Sequence, residues 1–425
     1  MTPNTCSNQL AGRVYFIEAA QTGSGLLHIQ WAMDNGFDAW LLTTEPKKYA
    51  RVPGSEALLE LARRERVIVC ETTEGTVVPE ALTRSCAQHT GAAGVVCVSD
   101  RHLVFAAAFA AEIGAASTSV AAIECLRDKR QARALFDALE LPTARWCAPA
   151  CVDDVASFAS AVNAPIVIKN CRGTGSLDVK LCSTVSDAVQ NYHAMSIAPR
   201  YLDGDLMLEE YLYGPLLSIE VLVSDGHCIE LGATDRQLGP LPNFCEVSYT
   251  FPVLLPKAVA AAMLDTVQTL ASHLQIAQGF LHVEFIVTGD GPKLVEVNPR
   301  LGGGLLAHMM SDCLTVPVSK LLTLSALGAL DAIPEQNGKT SSTVTVYPSR
   351  KCRLRSLKGL EQVAASPFVC QIVPLAAPGD EIMPAQDYRG AVCQIRTVAD
   401  SATLAFNGAQ MAAQFVLSDL EQESN

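Results

Sequence analysis

Glu284, Glu296 and Asn298 lie in the stretch LHVEFIVTGDGPKLVEVNPRLGGG, residues 281–304, which also holds Arg300 and a run of three glycines. Residues 281–287 and 293–297 alternate and are rich in β-branched types. Between them Thr288-Gly289-Asp290-Gly291-Pro292 is turn chemistry, so the segment predicts a β-hairpin. If Val287 pairs with Lys293 across the turn, counting sets Glu284 opposite Glu296 and His282 opposite Asn298, with all four side chains on one face. Like charges directly opposite on a sheet repel, so this arrangement calls for a cation between the carboxylates. Hard oxygen donors suit magnesium, which takes one or two carboxylates and completes its shell with phosphate oxygens and water. The plainer alternative is a solvent-facing hairpin carrying two ordinary glutamates.

A second set of residues suits phosphate. The run Pro165-Ile166-Val167-Ile168-Lys169 reads as a buried strand ending in a lysine. Directly after it, Asn170-Cys171-Arg172-Gly173-Thr174-Gly175-Ser176 is a loop of small residues with exposed amides and hydroxyls. Amides supply directed donors and the ammonium supplies charge; a glycine-rich hairpin with a surface lysine is the alternative. His282 would orient a phosphate or a metal-bound water, or be a strand histidine satisfied by neighbouring backbone. Glu220 reads as a supporting carboxylate. Cys171 and Cys245 lie near these segments without an evident need for a nucleophile, and Cys147 and Cys151 lack the second Cys/His pair of a metal site.

The elements that must position these residues fill a chain of 425 residues, long enough for two to four domains or subdomains. It is 49% hydrophobic and 18% charged, with no low-complexity run or evident repeat, and so reads as globular. A net charge of -13 argues against a general nucleic-acid or anionic-membrane binder. Residues 1–16 lack the layout of a signal peptide, and no apolar run is long enough to span a bilayer. Fifteen cysteines without a C-x-x-C pair point to reduced thiols in a cytoplasm.

Strand-like runs at 13–17, 39–43, 67–70 and 94–98 alternate with helical patterns, so the first 115 residues predict an α/β domain with a parallel sheet. Gly23-Ser24-Gly25 after the first strand is a weak dinucleotide signal, because His28 stands where the third glycine would be; a tight turn packing a helix on the sheet is the simpler reading. Lys129 begins a helix running to about Leu139, and Leu141-Pro142 stops it. Glu209-Glu210-Tyr211-Leu212 leaves one strand, 216–223 forms another, and β-rich segments return at 342–347 and 371–373 before a polar tail.

In order, Lys129, Lys169 with its Gly/Ser loop, Glu209 to Leu212, Glu284, and Glu296-Val297-Asn298-Pro299-Arg300-Leu301-Gly302-Gly303-Gly304 form a succession that resembles the ATP-grasp superfamily. The resemblance covers roughly residues 115–330. It implies an α/β (α+β) ATP-grasp fold divided as 1–115, a Rossmann-like pre-ATP-grasp domain; 116–205, a small subdomain with the phosphate loop; 206–335, a large subdomain with the magnesium site; and 336–425, a β-rich closing subdomain. It further implies that Lys129 and Lys169 neutralise ATP phosphates and that Gly173, Thr174, Gly175 and Ser176 close over them. Glu209, Glu210, Tyr211 and Leu212 would lie along the adenine, with a carboxylate accepting from its amino group. Glu284, Glu296 and Asn298 would hold Mg2+, with Mn2+ an acceptable substitute. Arg300 would stabilise the transferred phosphoryl group, and Gly302, Gly303 and Gly304 would let substrate approach the backbone.

Within the superfamily the chain is similar to carboxylate-amine ligases of the bacilysin type. That resemblance implies amide formation through an acyl phosphate, small carboxylate and amine substrates, and compatibility with a homodimer. Residues 235–252 match the substrate loop, with Glu246 where an acid receives the amino group of an amino acid. Arg236 is the competing partner for Glu246, and Tyr249 stands where the family often has histidine. A bicarbonate- or nucleotide-pathway ligase, a nucleotide-binding protein without turnover, and an NAD-dependent enzyme are the rival classes.

Overall fold

The computed structural model describes residues 12–73, 75–87, 91–163, 165–199, 204–418 and 421–423. Most of the N-terminal stretch read for a leader lies outside them. Four short strands, Arg13–Ile17, Asp38–Thr43, Val67–Val69 and Ala93–Val96, form a parallel sheet, ordered third, second, first, fourth. The strand order reverses beside the first strand, so the crevice at the carboxyl ends of the first and fourth strands is a switch point. Gly23 and Gly25, with φ of +67° and +53°, make the turn after the first strand. A Cβ on Gly23 would lie 2.0 Å from the Gly304 carbonyl oxygen, so this turn is where the domain docks on the rest of the chain. That close approach agrees with the tight-turn reading of the glycines.

A four-stranded antiparallel sheet follows, ordered Trp146–Cys147, Leu206–Glu210, Ile166–Asn170 and Val179–Cys182. Helices Val152–Val162 and Val185–Ile197 bury Val155, Ala159 and Ala188 against it. Asp128 caps helix Lys129–Ala138 by accepting from the amides of Arg130 and Gln131 at 2.9 and 3.4 Å. Lys129 is thereby fixed at the first helical position, with Arg133 one turn along on the same side.

A three-stranded sheet of Glu381–Ile382, Cys352–Ser356 and Glu421–Glu423 lies toward the C-terminus, and an eight-stranded antiparallel sheet completes the frame around the site. Its order is Gly291–Asn298, Gly279–Thr288, Leu216–Ser224, His227–Leu238, Glu246–Val253, Thr340–Val346, Cys393–Ala399 and Val369–Pro374. Strands from both sides of residue 336 therefore share one sheet. Glu284 does stand opposite Glu296, and His282 opposite Asn298. The turn is tighter than the sequence reading had it: Thr288 pairs with Gly291 and Val287 with Pro292, not Lys293. A β-bulge at Val295 inserts one residue and restores the expected partners, so two one-residue departures cancel.

Helix Val318–Ala326 packs on helix Leu27–Asp34 of the first domain and on helix Leu306–Cys313, in one apolar core that also takes in Phe251, Leu305 and Leu321. His28 is buried in this contact with its Nδ1 2.8 Å from Ser319 Oγ. Burial and the nearby His308 lower its pKa to about 4, and Arg396 adds positive potential at His308. The unfolded chain, with an ordinary imidazole, binds the proton more readily than the folded one. Stability from this site is complete above about pH 6.5 and is lost as pH falls toward 4, by roughly 3 kcal/mol. His28→Gln is expected to flatten that part of the urea-midpoint profile against pH; equal slopes for variant and parent would show that His28 stays solvated.

Candidate active site

A cavity of about 410 Å³ lies between the two antiparallel sheets and the first domain. Lys129, Lys169, residues 173–176 and 209–212, Glu246, His282, Glu284, Glu296, Asn298, Arg300, Gly303 and Gly304 all line it. Gly302 does not. A Cβ there would meet His282 Nδ1 at 2.9 Å and Glu220 Oε2 at 3.2 Å, so this glycine lets the wall pack rather than facing the cavity.

The two central carboxylates have different neighbours. Lys129 Nζ lies 3.2 Å from Glu296 Oε1 and donates to the Gly173 carbonyl at 2.6 Å. Glu284 Oε1 is 3.3 Å from His282 Nε2 and 3.7 Å from an Arg236 nitrogen. Burial alone would raise the Glu284 pKa, but Arg236 and His282 override it and hold it well below the usual carboxylate range. His282 Nδ1 sits 2.6 Å from the buried Glu220. Burial disfavours the imidazolium, yet Glu220 and Glu284 carry the His282 pKa up to about 9. This histidine is satisfied by carboxylates, not by backbone as one sequence reading had it, and Glu220 has a definite role as its partner.

Lys169 and Glu209 are buried together, with Lys169 Nζ 2.6 Å from one carboxylate oxygen and Arg133 Nε 2.7 Å from the other. Burial would raise the Glu209 pKa, but Arg133 and Lys169 hold it at about 2. Glu210 is bound by Arg145 through its backbone amide at 2.9 Å and its guanidinium at 2.7 Å. Both carboxylates line the cavity and also carry basic partners within the protein. Tyr211 donates its amide to the Pro165 carbonyl, whereas among the described residues the Leu212 amide and carbonyl have no partner. That backbone is the free hydrogen-bonding edge at this end of the cavity.

Arg300 is tied to a residue the sequence reading missed. Its Nε donates to Asp100 Oδ1 at 2.7 Å, and its Nη2 bonds the other oxygen. Burial opposes the Asp100 charge, but Arg300 and then Arg127 keep its pKa far below the ordinary aspartate range. Asp100 follows the fourth strand of the parallel sheet, at the switch-point crevice, and that position was the available signal. Arg236 also binds Glu246, Nε to Oε1 at 2.8 Å, so the salt bridge weighed against substrate recognition does form.

The glycine loop is held at four successive residues by four separate segments. Gly173 accepts from Lys129, Thr174 donates to Asp100 at 3.2 Å, and Ser176 donates to the Phe244 carbonyl at 2.6 Å. Between them the Tyr388 ring lies where a Cβ on Gly175 would come within 2.9 Å. Asp387 fixes the turn carrying Tyr388, accepting from the Arg389 amide at 2.9 Å and from its guanidinium at 2.8 Å. Tyr388→Ala is expected to raise hydrogen exchange across residues 172–177 several-fold, and Tyr388→Phe to restore protection. Unchanged exchange in the alanine variant would mean that the ring does not hold the loop.

The chain matches the ATP-grasp domain family over residues 162–308 and the L-amino acid ligase C-terminal domain 2 over residues 344–421. It is 26% identical to phosphoribosylamine–glycine ligase of Leifsonia xyli subsp. xyli over 268 residues, 59% of this chain and 62% of that one. It is 26% identical to carnosine synthase 1 of Homo sapiens over 194 residues, 43% of this chain and 23% of that one. The chain thus spans less than two thirds of the length of these relatives. The crystal structure of an L-amino acid ligase from Bacillus licheniformis superposes with a TM-score of 0.79 at 18% identity, covering 98% of this chain and all of that one. The chain thus carries an ATP-grasp domain over residues 162–308 and a C-terminal domain of the L-amino acid ligase kind over residues 344–421.

Proposed function

We propose that this chain is an ATP-dependent carboxylate-amine ligase: it phosphorylates a carboxylate and passes the acyl group to an amine, releasing ADP and phosphate. The observation that carries the reading is the set of charges in one cavity. Two carboxylates stand directly opposite each other beside an asparagine, with Lys129, Lys169 and Arg300 on the same walls under a glycine loop. The matched C-terminal domain favours an amino acid as one substrate over bicarbonate or a nucleotide-pathway acid.

Glu284, Glu296 and Asn298 would hold Mg2+. The fit rests on the donor set: two carboxylates and an amide are hard oxygen ligands, and a divalent ion would offset their repulsion. Among the described residues no three His, Cys, Asp or Glu side chains converge as a complete cage. That suits an ion whose remaining ligands are phosphate oxygens and water. When bound, the ion supplies charge compensation for the transferred phosphoryl group.

This chain's own residues do the rest. Lys129 and Lys169 balance phosphate charge, and the Leu212 backbone reads the adenine edge. Arg300, aimed by Asp100, faces the acyl phosphate, and the four-point closure of the loop keeps water from the activated acyl group. Glu246 keeps its Oε2 for a substrate ammonium while Arg236 holds Oε1. The substrates are small carboxylates and amines, and a reducing cytoplasm fits the free thiols.

A phosphate-release screen over pairs of amino acids and small acids with ATP and magnesium is expected to find activity only when a carboxylate and an amine are both present. Bicarbonate-dependent, amino-acid-independent ADP formation would overturn the reading. Glu246→Ala is expected to lower kcat/KM for an α-amino acid by at least about tenfold more than for its deaminated analogue, because a buried ammonium loses its counter-charge. Equal proportional losses for the two acids would show that Glu246 does not read the amine.

A further inference from the structure

The eight-stranded sheet changes character across its width. Side chains two apart share a face, and the register sets Arg236 beside Tyr249, Tyr249 beside Thr343 and Thr345 beside Gln394. On the hairpin side of Tyr249 the cavity face carries Glu296, Glu284, His282 and Arg236. Beyond Tyr249 the cavity is lined from residues 345–394 by Thr345, Tyr347, Leu375, Tyr388, Ala391 and Gln394, none of them charged.

The polar groups on that far wall are largely turned to one another. Gln394 Nε2 donates to Thr345 Oγ1 at 3.2 Å, and the Tyr347 hydroxyl donates to the Glu246 carbonyl at 3.1 Å. Arg396, next in line on the same face, is drawn off by Asp312 and by Gln371 Oε1 at 3.0 Å, and it is not part of the lining. The acids nearest this wall, Glu246 and Asp387, already hold Arg236 and Arg389, so a charged group placed here would lose water without a free counter-charge, whereas an apolar one would meet Leu375, Ala391 and the ring of Tyr347.

We propose that this wall is the side-chain pocket of the activated acid and that it selects a substrate whose side chain is uncharged and apolar. The inference rests on the ligase reading, because it takes the head group of that substrate to lie between Glu246 and Arg300. Tyr347 joins the two ends: by holding the Glu246 carbonyl it fixes the spacing between the site for the amino group and the pocket for the side chain. Leu375, in the segment after strand Val369–Pro374, is the specificity-determining position, since it faces the cavity without any hydrogen-bonding duty of its side chain.

The test compares chain-length-matched acids that differ in charge: norleucine with lysine, and caproate with ε-aminocaproate. ADP formation and calorimetric binding to protein loaded with a non-hydrolysable ATP analogue are both measured. Norleucine is expected to exceed lysine by at least about tenfold in kcat/KM and in affinity, and Leu375→Lys to shrink that ratio by a similar factor. If caproate replaces norleucine as the better substrate and ε-aminocaproate still fails, the amino-acid reading falls and the pocket stands. Equal use of charged and uncharged partners, no binding of either, or a ratio unmoved by Leu375→Lys would overturn the pocket.

Discussion

Two carboxylates directly opposite each other on adjacent strands are the constraint around which this molecule is arranged. At the separation of a cross-strand pair, about 5 Å, two like charges repel by roughly 3 kcal/mol at an effective dielectric near 20. That exceeds what a surface ion pair returns, so Glu284 and Glu296 need compensation built into the fold. Lys129, from a helix capped by Asp128, stands against one; His282, from Glu284's own strand, and Arg236, from a strand two places away, stand against the other. The bulge at Val295 makes the register possible, because without it the two-residue turn would carry the pair out of alignment.

The second level of organisation is closure. Arg300 lies 200 residues from Asp100 in sequence, and their bidentate contact joins the first domain to the end of the hairpin. Asp100 also takes the Thr174 hydroxyl, so the same carboxylate that aims the arginine holds the glycine loop. Tyr388 reaches the next residue of that loop from the C-terminal domain. All three parts of the chain therefore meet within a few residues of the proposed phosphate site, which is what a reaction with a water-sensitive intermediate requires.

Much of this was legible in the letters. Alternation and turn chemistry gave the hairpin and its facing carboxylates, although the turn register was one residue off and was rescued by a bulge that no alternation pattern announces. The lysine-then-glycine-loop reading also placed its residues on the cavity. The pairing of Glu209 with Arg133 was not legible because Arg133 sits 76 residues earlier on a different element, where nothing local marks it. Tyr388 carried no signal at all, since an aromatic in a polar loop has many ordinary uses. Gly302 looked like its two neighbours in sequence, and only the close approach of His282 and Glu220 sets it apart. Periodicity reports which face a side chain takes; it does not report what a distant segment brings to meet it.

The central claim is that Glu284 and Glu296 share a divalent ion with the nucleotide. Electron paramagnetic resonance of Mn2+ tests it directly, with titration in the presence and absence of a non-hydrolysable ATP analogue. The account predicts tightly bound manganese only with the nucleotide present, and its loss in both Glu284→Gln and Glu296→Gln while circular dichroism shows both variants folded. Nucleotide-dependent manganese binding retained at parental affinity in both variants would contradict it.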